Sequence, residues 1–338
     1  MNRIVVDAMG SDDFPVPDVI GAVMAAREYG LEIILVGDET KIRLLLATQN
    51  PGDLPIRVVH APGMLTMEDK GMALVLKARR PNSNNSMAMG IDMVKNGQAD
   101  AFVTAGNTGA ASVTAYFRLG TIPGIDRPGL TPVFPTAVGS CVVIDVGANP
   151  DCKPENLLQF AIMGSIYAQK VRGVNNPIIG LLSNGEEAGK GNDLIKHTYP
   201  LIKESGLNFY GNIEGKELIG GKVDVAVTDG FTGNILLKSS EAVAKLLMDK
   251  IMEAIQSGGL RAKLGGLMVK PALSGIKKLM DPSEEGAAPL LGVNGLIFIG
   301  HGRSDATAIK NAVRVANNAV KANVLESIRT AIEQSLKK

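Results

Sequence analysis

Tryptophan is absent from the 338-residue chain, and aromatic residues make up only 4% of it. That scarcity excludes a base-stacking platform. Charge does not compensate: the formal net charge is +1, so the basic footprint of a nucleic-acid binder is missing and no nucleic-acid partner is expected. Cysteine occurs twice, at Cys141 and Cys152, which makes neither a disulfide framework nor a CxxC pair. Cys141 opens an apolar run and is expected to be buried and unreactive. His60, His197 and His301 form no HExxH, and no metal is expected. No apolar run reaches the roughly 18 residues of a membrane span. Residues 1–10 read as a strand carrying an acid, not as a leader peptide, so cytoplasmic residence is the expectation.

What is present is alternation. Short apolar runs at residues 4–6, 32–36, 56–60, 101–104, 141–145, 178–182, 208–211, 223–227 and 295–299 predict buried strands. Between them, residues 16–29, 39–48, 86–96, 156–171, 186–204 and 234–255 predict helices, and residues 305–334 predict one broken helix or two. Continuously apolar strands separated by helices point to an α/β fold with a mostly parallel sheet covered on both faces. The length allows one large unit, residues 1–338, with room for two subdomains. Open sheets of this kind bind ligands beyond the carboxyl ends of their strands, where nearly every glycine-rich motif falls.

Two of those motifs lead. AGNTGA (residues 105–110) and DGFTGN (residues 229–234) each follow an apolar run and open a helix. Backbone N–H groups at a positive helix N-terminus suit an oxyanion. The candidate binders are Asn107, Thr108 and Gly109 in the first, and Asp229, Thr232, Gly233 and Asn234 in the second; Asn107 and Thr108 also suit an ordinary helix cap. GEEAGKGND (residues 185–193) resembles a P-loop, but its glycine spacing is one residue short, and Gly191 stands where Ser or Thr would hold magnesium. ATP-driven chemistry is therefore unsupported. Lys190, between Gly189 and Gly191, is left as a point charge for phosphate or as a solvated lysine. DAMGSD (residues 7–12) sets Asp7 and Asp12 about a turn with Gly10, suited to a cation, to orienting a lysine, or to plain turn chemistry. HGRSD (residues 301–305) adds His301, a proton donor or a structural hydrogen-bonding group.

One segment breaks the alternation. Across residues 257–280, Arg261, Lys263, Lys270, Lys277 and Lys278 stand without an acid. Leu260, Leu264, Leu267 and Met268 fall at helical spacing, and Leu273, Ile276, Leu279 and Met280 repeat the pattern after Pro271. Two short amphipathic helices in a hairpin are expected, either packed on the core or a dimer partner, or docking reversibly on an anionic membrane or acidic partner.

Together these blocks resemble bacterial phosphate acyltransferase, a soluble phospholipid-synthesis family that makes acyl phosphate from acyl-acyl carrier protein. The likeness runs nearly end to end: VDAMGSD (6–12), SMAMGIDMVKNGQADAFVTAGNTGA (86–110), RPGLTPVFPT (127–136), VIDVGANPDCKPENLLQFAIMG (143–164), GLLSNGEEAGKGND (180–193), NIEGKEL (212–218), DVAVTDGFTGNILLK (224–238), APLLGVNG (288–295) and HGRSD. Departures at Ser11, Asp13-Phe14, Asn84-Asn85, Ser183-Asn184 and Ala287 leave Asn107, Lys190 and Asn234 untouched. The resemblance implies a fold like isocitrate and isopropylmalate dehydrogenases and phosphotransacetylase, an α/β/α sandwich with a protruding helical hairpin. It implies a homodimer, peripheral contact with an anionic membrane, and a membrane glycerol-3-phosphate acyltransferase that consumes the product. Leu260, Arg261, Lys263, Leu264, Leu267, Met268 and Lys270 would make the membrane or partner contact.

The implied reaction is reversible: phosphate attacks a long-chain acyl thioester on carrier protein, with no cofactor and no covalent acyl-enzyme. Lys190 and Asn234 lead as catalytic residues, with Asp229 positioning Lys190 and His301 as a proton donor. Asn107, Thr108, Gly109, Gly191, Thr232, Gly233, Asp7 and Gly10 would bind phosphate or substrate. Carrier protein is acidic, so its docking surface should be basic. Three alternatives stay open: a CoA-dependent phosphate acetyl- or butyryltransferase, a metal-dependent hydroxyacid dehydrogenase (though no GxGxxG fingerprint is present), and a non-catalytic membrane scaffold.

Overall fold

The computed structural model of the protein describes residues 1–66, 68–69, 71–80, 83–279 and 281–336, with the side chains at 270, 273 and 276–279 outside the description. Among the described residues the strands are β1 (Arg3–Asp7), β2 (Glu32–Gly37), β3 (Ile56–His60), β4 (Ala101–Thr104), β5 (Gly129–Leu130), β6 (Val133–Thr136), β7 (Gly139–Ile144), β8 (Ile179–Leu182), β9 (Phe209–Ile213), β10 (Val225–Val227), β11 (Ala288–Leu291) and β12 (Ile297–Ile299). The helices are α1 (Val16–Tyr29), α2 (Glu39–Thr48), α3 (Gly71–Arg79), α4 (Ser86–Lys95), α5 (Thr108–Leu119), α6 (Pro154–Lys170), α7 (Asp193–Glu204), α8 (Gly215–Ile219), α9 (Gly230–Ser257), α10 (Gly259–Leu279), α11 (Ala306–Lys321) and α12 (Val324–Leu336).

The strands form a seven-stranded sheet in the order β3-β2-β1-β4-β12-β11-β5 and a five-stranded sheet in the order β6-β7-β10-β8-β9. Pairing is parallel except where β11 meets β12 and β5, and where β6 meets β7. Successive strand residues point to opposite faces, and both faces are buried. Ile4 and Val6 join one apolar cluster with Ala22 and Ile309, while Val5 joins the other with Ile91 and Ala111. In the second sheet Val142 and Ile144 join the first cluster, and Val143 the second. Helix, sheet and helix layers follow, as the continuously apolar strands predict. Each fully buried aliphatic side chain stabilises this arrangement by roughly 1.5–3 kcal/mol.

Two expectations are corrected. The helix expected over residues 186–204 begins only at Asp193, because Asn192 caps it by accepting from the Ile195 N–H and Gly191 sits at φ +101. The amphipathic hairpin is not two halves of residues 257–280. It pairs α9 with a single α10, and the turn lies at Gly258 and Gly259, the latter at φ +73. Gly266 lets the two helices close, since a Cβ there would lie 2.2 Å from Ile255 Cγ2. Pro271 stands inside α10, exposed, and forgoes one backbone hydrogen bond. The side chains of Lys270, Leu273, Ile276, Lys277, Lys278 and Leu279, and Met280 as a whole, lie outside the described residues.

Candidate active site

The strand order brings two sets of loops to the carboxyl ends of neighbouring strands. In the first sheet β1, β4 and β12 are adjacent and parallel. Their following turns are pinned together. Thr104 Oγ1 donates to Asp7 Oδ2 at 2.9 Å and accepts from the Gly106 N–H at 3.0 Å. The Gly300 N–H donates to Thr104 O at 2.8 Å, and the Asp12 N–H to Gly302 O at 2.7 Å. Gly10 is needed for this closeness, because a Cβ there would meet Thr104 Oγ1 at 2.8 Å and the Gly106 nitrogen at 2.9 Å.

Asp7 thus serves the frame. It is 2% exposed and its carboxyl ties strand ends together. Burial pushes its pKa up, against the pull of bonds from Ser86, Thr104 and the Met9 N–H. Asn107 is the N-cap of α5: its Oδ1 accepts from the Ala110 N–H, and its amide donates to Thr66 O and Asp69 O, both at 3.3 Å. The Thr108 and Gly109 N–H groups find no protein acceptor among the described residues, and both residues are exposed. His301 lies exposed on the loop after β12, with Nδ1 accepting from the Arg303 N–H at 3.2 Å. In the neutral ring that bond leaves the proton on Nε2.

In the second sheet β7, β10 and β8 are adjacent. Asp145, just past β7, is buried and accepts from the Leu130, Gly147, Ala148 and Asn149 N–H groups and from the Asn149 amide. This loop grips the start of α9. The Gly230 N–H donates to Asn149 O at 2.8 Å, and a Cβ on Gly233 would lie 2.0 Å from Asp145 O. Gly233 is thus required by packing, and its N–H donates to Asp229 O at 2.9 Å. Asp229 caps α9, accepting from the Thr232 N–H and from Thr232 Oγ1, both at 2.8 Å. Its carboxylate is bonded to Thr232 rather than to Lys190, which makes no ion pair among the described residues. The Thr232 hydroxyl proton is likewise taken. Asn234 stands exposed one turn into α9, and its side chain faces Gly147, where an added Cβ would lie 3.7 Å away.

Lys190 sits in the loop after β8. The Asn212 amide donates to Glu187 O at 2.9 Å and Lys190 O at 3.5 Å, and the Gly191 N–H donates to Asn184 Oδ1 at 3.0 Å. Gly191 serves this loop's shape, since its backbone is left-handed and an added Cβ would strike Ile195 at 2.6 Å. The fixed loop presents an exposed ammonium. Of the donors expected from the sequence, the Lys190 amine and the Asn234 amide are without a side-chain partner among the described residues, whereas those of Asn107 and Thr232 are committed to the frame.

The two helix starts also differ electrostatically. The α9 start is capped by a carboxylate, and the Gly230, Thr232 and Gly233 N–H groups are already satisfied. The α5 start has a neutral cap and two N–H groups without an acceptor among the described residues. An anion is favoured at α5. The thiols offer no nucleophile: burial pushes Cys141 and Cys152 each up to about 12. Glu186, Glu214 and Glu217 converge within 4.8 Å, but Lys216 Nζ lies 2.9 Å from both Glu186 and Glu214 and supplies the positive charge there. Asp145, Gly147 and Asn149 escaped the sequence reasoning. The run DVGANPD carries their turn chemistry, but not the fact that it wraps a helix eighty-odd residues later.

A family model described as "Fatty acid synthesis protein" matches residues 2–327. The phosphate acyltransferase of Pelotomaculum thermopropionicum is 48% identical over 331 residues, covering 98% of this chain and 95% of that protein. That of Elusimicrobium minutum is 45% identical over 333 residues, covering 98% and 96%. Among solved structures, EutD phosphotransacetylase from Staphylococcus aureus superimposes with a TM-score of 0.59 at 17% identity, over 95% of this chain and 94% of that one. A 4-hydroxythreonine-4-phosphate dehydrogenase from Klebsiella pneumoniae does so with a TM-score of 0.52 at 14% identity, over 95% and 98%. The fold is thus shared with phosphotransacylases and dehydrogenases, as the sequence resemblance implied.

Proposed function

Because the chain belongs to the phosphate acyltransferase family and is a transferase of acyl groups to phosphate, we propose that its donor is a long-chain fatty acyl thioester on acyl carrier protein. The product is an acyl phosphate for phospholipid synthesis, and the transfer is reversible. The observation that carries this is the pair of donors without a side-chain partner among the described residues, Lys190 in the loop after β8 and Asn234 in the first turn of the helix after neighbouring β10, in a chain whose thiols are held protonated. Such a site needs no acyl-enzyme.

A phosphate oxygen of the hydrogen phosphate dianion attacks the thioester carbonyl carbon. The C–O bond forms and the C–S bond breaks, while His301 Nε2 gives its own proton to the leaving sulfur and takes up the phosphate proton in exchange. Phosphate rests on the Thr108 and Gly109 N–H groups at the α5 start, while Lys190 and Asn234 stabilise the charge that develops on phosphate and carbonyl oxygen. No cofactor enters this scheme.

The protein works as a homodimer at the surface of an anionic membrane, where a glycerol-3-phosphate acyltransferase consumes the amphiphilic product. What supports this is the α9–α10 hairpin, with Leu260, Leu264, Leu267 and Met268 exposed beside Arg261 and Lys263. Among the described residues no helix is long and apolar enough to cross a membrane.

The test is release of free carrier from palmitoyl-acyl carrier protein, with hydroxylamine trapping of the acyl phosphate. Release that requires phosphate is expected. Turnover with acetyl- or butyryl-CoA alone would move the chain to the phosphotransacetylase side, whose fold it shares, and no turnover with either donor would refute both.

A further inference from the structure

We propose that the face made by α3 and α5 is the docking surface for the acyl carrier protein, recognised by its acidic helices; this rests on the donor assigned above. Neither helix contains a carboxylate. Met72, Leu76, Tyr116 and Phe117 are exposed on them, at 72%, 58%, 40% and 41%. The guanidinium of Arg79 lies over the Phe117 ring, 5.0 Å from its centroid, which holds the charge in place beside the apolar patch. Arg79 and Arg80 are exposed and enter no ion pair among the described residues. Of the carboxylates nearest in the chain, Asp69 pairs with Lys77 and Asp92 with Arg118, and of the three only Glu68 is exposed without an ion pair among the described residues. An apolar patch edged by unpaired guanidinium groups fits an amphipathic helix with an acidic rim.

Position favours the same partner. α5 begins at the AGNTGA turn, and the Asn107 amide binds the Thr66 and Asp69 carbonyls just ahead of α3. A carrier seated here lies on the same helix as the Thr108 and Gly109 N–H groups, with Tyr116 eight residues, roughly 12 Å, along the axis from them, a span that its thioester arm must bridge. The hairpin lacks this link. Its α9 half carries Asp249, and its Glu241 and Glu253 tie up Lys238 and Lys250 in ion pairs, so that half offers an acidic protein little free positive charge.

The experiment compares wild type with the Arg79→Glu/Arg80→Glu double variant. It measures carrier binding by calorimetry, and steady-state kinetics with palmitoyl-carrier and with a carrier-free palmitoyl thioester of N-acetylcysteamine. The expected result is a rise of roughly 10-fold in Kd and in KM for the carrier substrate, with kcat and the carrier-free reaction unchanged and the circular dichroism spectrum native. Leu76→Ser should weaken binding in the same way, and Arg261→Glu/Lys263→Glu should not. Full carrier affinity in the double variant, with wild-type turnover intact, overturns the docking surface and leaves the donor standing. Loss of binding in the variant, with no phosphate-dependent transfer in wild type, upholds the surface and removes the donor's reaction. A wild type that neither binds nor turns over carrier removes both.

Discussion

At the residue scale, side chains of one chemical type divide into those that build the frame and those left facing outward. Gly233 belongs to the frame: Gly233→Ala would force a methyl group against Asp145 O, 2.0 Å away. A loss of roughly 1–3 kcal/mol or more is expected from such overpacking, seen as a lowered unfolding midpoint; an unchanged midpoint would contradict the close approach. Asp18 is a second buried group with a readable consequence. It accepts from Ser11 Oγ at 2.6 Å, its other oxygen has no hydrogen-bond partner, and burial pushes it from 3.8 to about 7. Its folded-state pKa is raised, so the folded protein holds this proton more tightly than the unfolded chain. Its contribution to stability is full below about 4 and is lost as pH rises to about 7. Asp18→Asn should therefore gain stability relative to wild type at pH 8 and lose that advantage at pH 4. Denaturant midpoints at the two pH values test this, and a constant difference would refute it. The sequence pointed to Lys190 and Asn234 as residue types, but which of several polar groups remained unpaired was decided by neighbours distant in the chain, such as Asn212 for the Lys190 loop.

At the element scale, capping governs how the helices present their first turns. Asp229→Ala removes bonds to both the Thr232 N–H and Oγ1. A destabilisation of about 1–2 kcal/mol is expected, with a fall in turnover as Asn234 loses its mooring, while Asp229→Asn should restore most of both. Equal loss in the two variants would assign Asp229 a role beyond the cap. Elements were legible where pattern and length agreed. The strands β1, β2, β4 and β10 read directly as apolar runs, and α1 from its periodicity. The short antiparallel strands β5, β6 and β11 did not, because two to four residues carry no period, and Pro135 and Pro289 interrupt β6 and β11. The expected helix over residues 186–204 takes in Lys190 near its start. The left-handed Gly191 and the Asn192 cap move that start three residues past it.

At the scale of the whole molecule, two apolar faces remain open on a chain of nearly neutral net charge. The α9–α10 hairpin exposes Leu264 and Met268, the latter at 84%. Leu264→Glu/Met268→Glu should abolish flotation with vesicles of phosphatidylglycerol while leaving turnover of soluble palmitoyl-carrier intact; undiminished flotation would remove the hairpin from the membrane contact. The division of strands into two sheets was not legible at all, since every parallel strand reads alike and only the pairing of β5 and β6 with different partners separates them. The account stands most directly on Lys190 and Asn234 acting on the reacting phosphate and thioester. The deciding measurement is phosphate-dependent turnover of palmitoyl-carrier by Lys190→Ala and Asn234→Ala, with folding checked by circular dichroism. Each should lose on the order of 2–4 kcal/mol of transition-state stabilisation, roughly 30- to 1,000-fold in rate. Near-normal turnover in both would contradict the account.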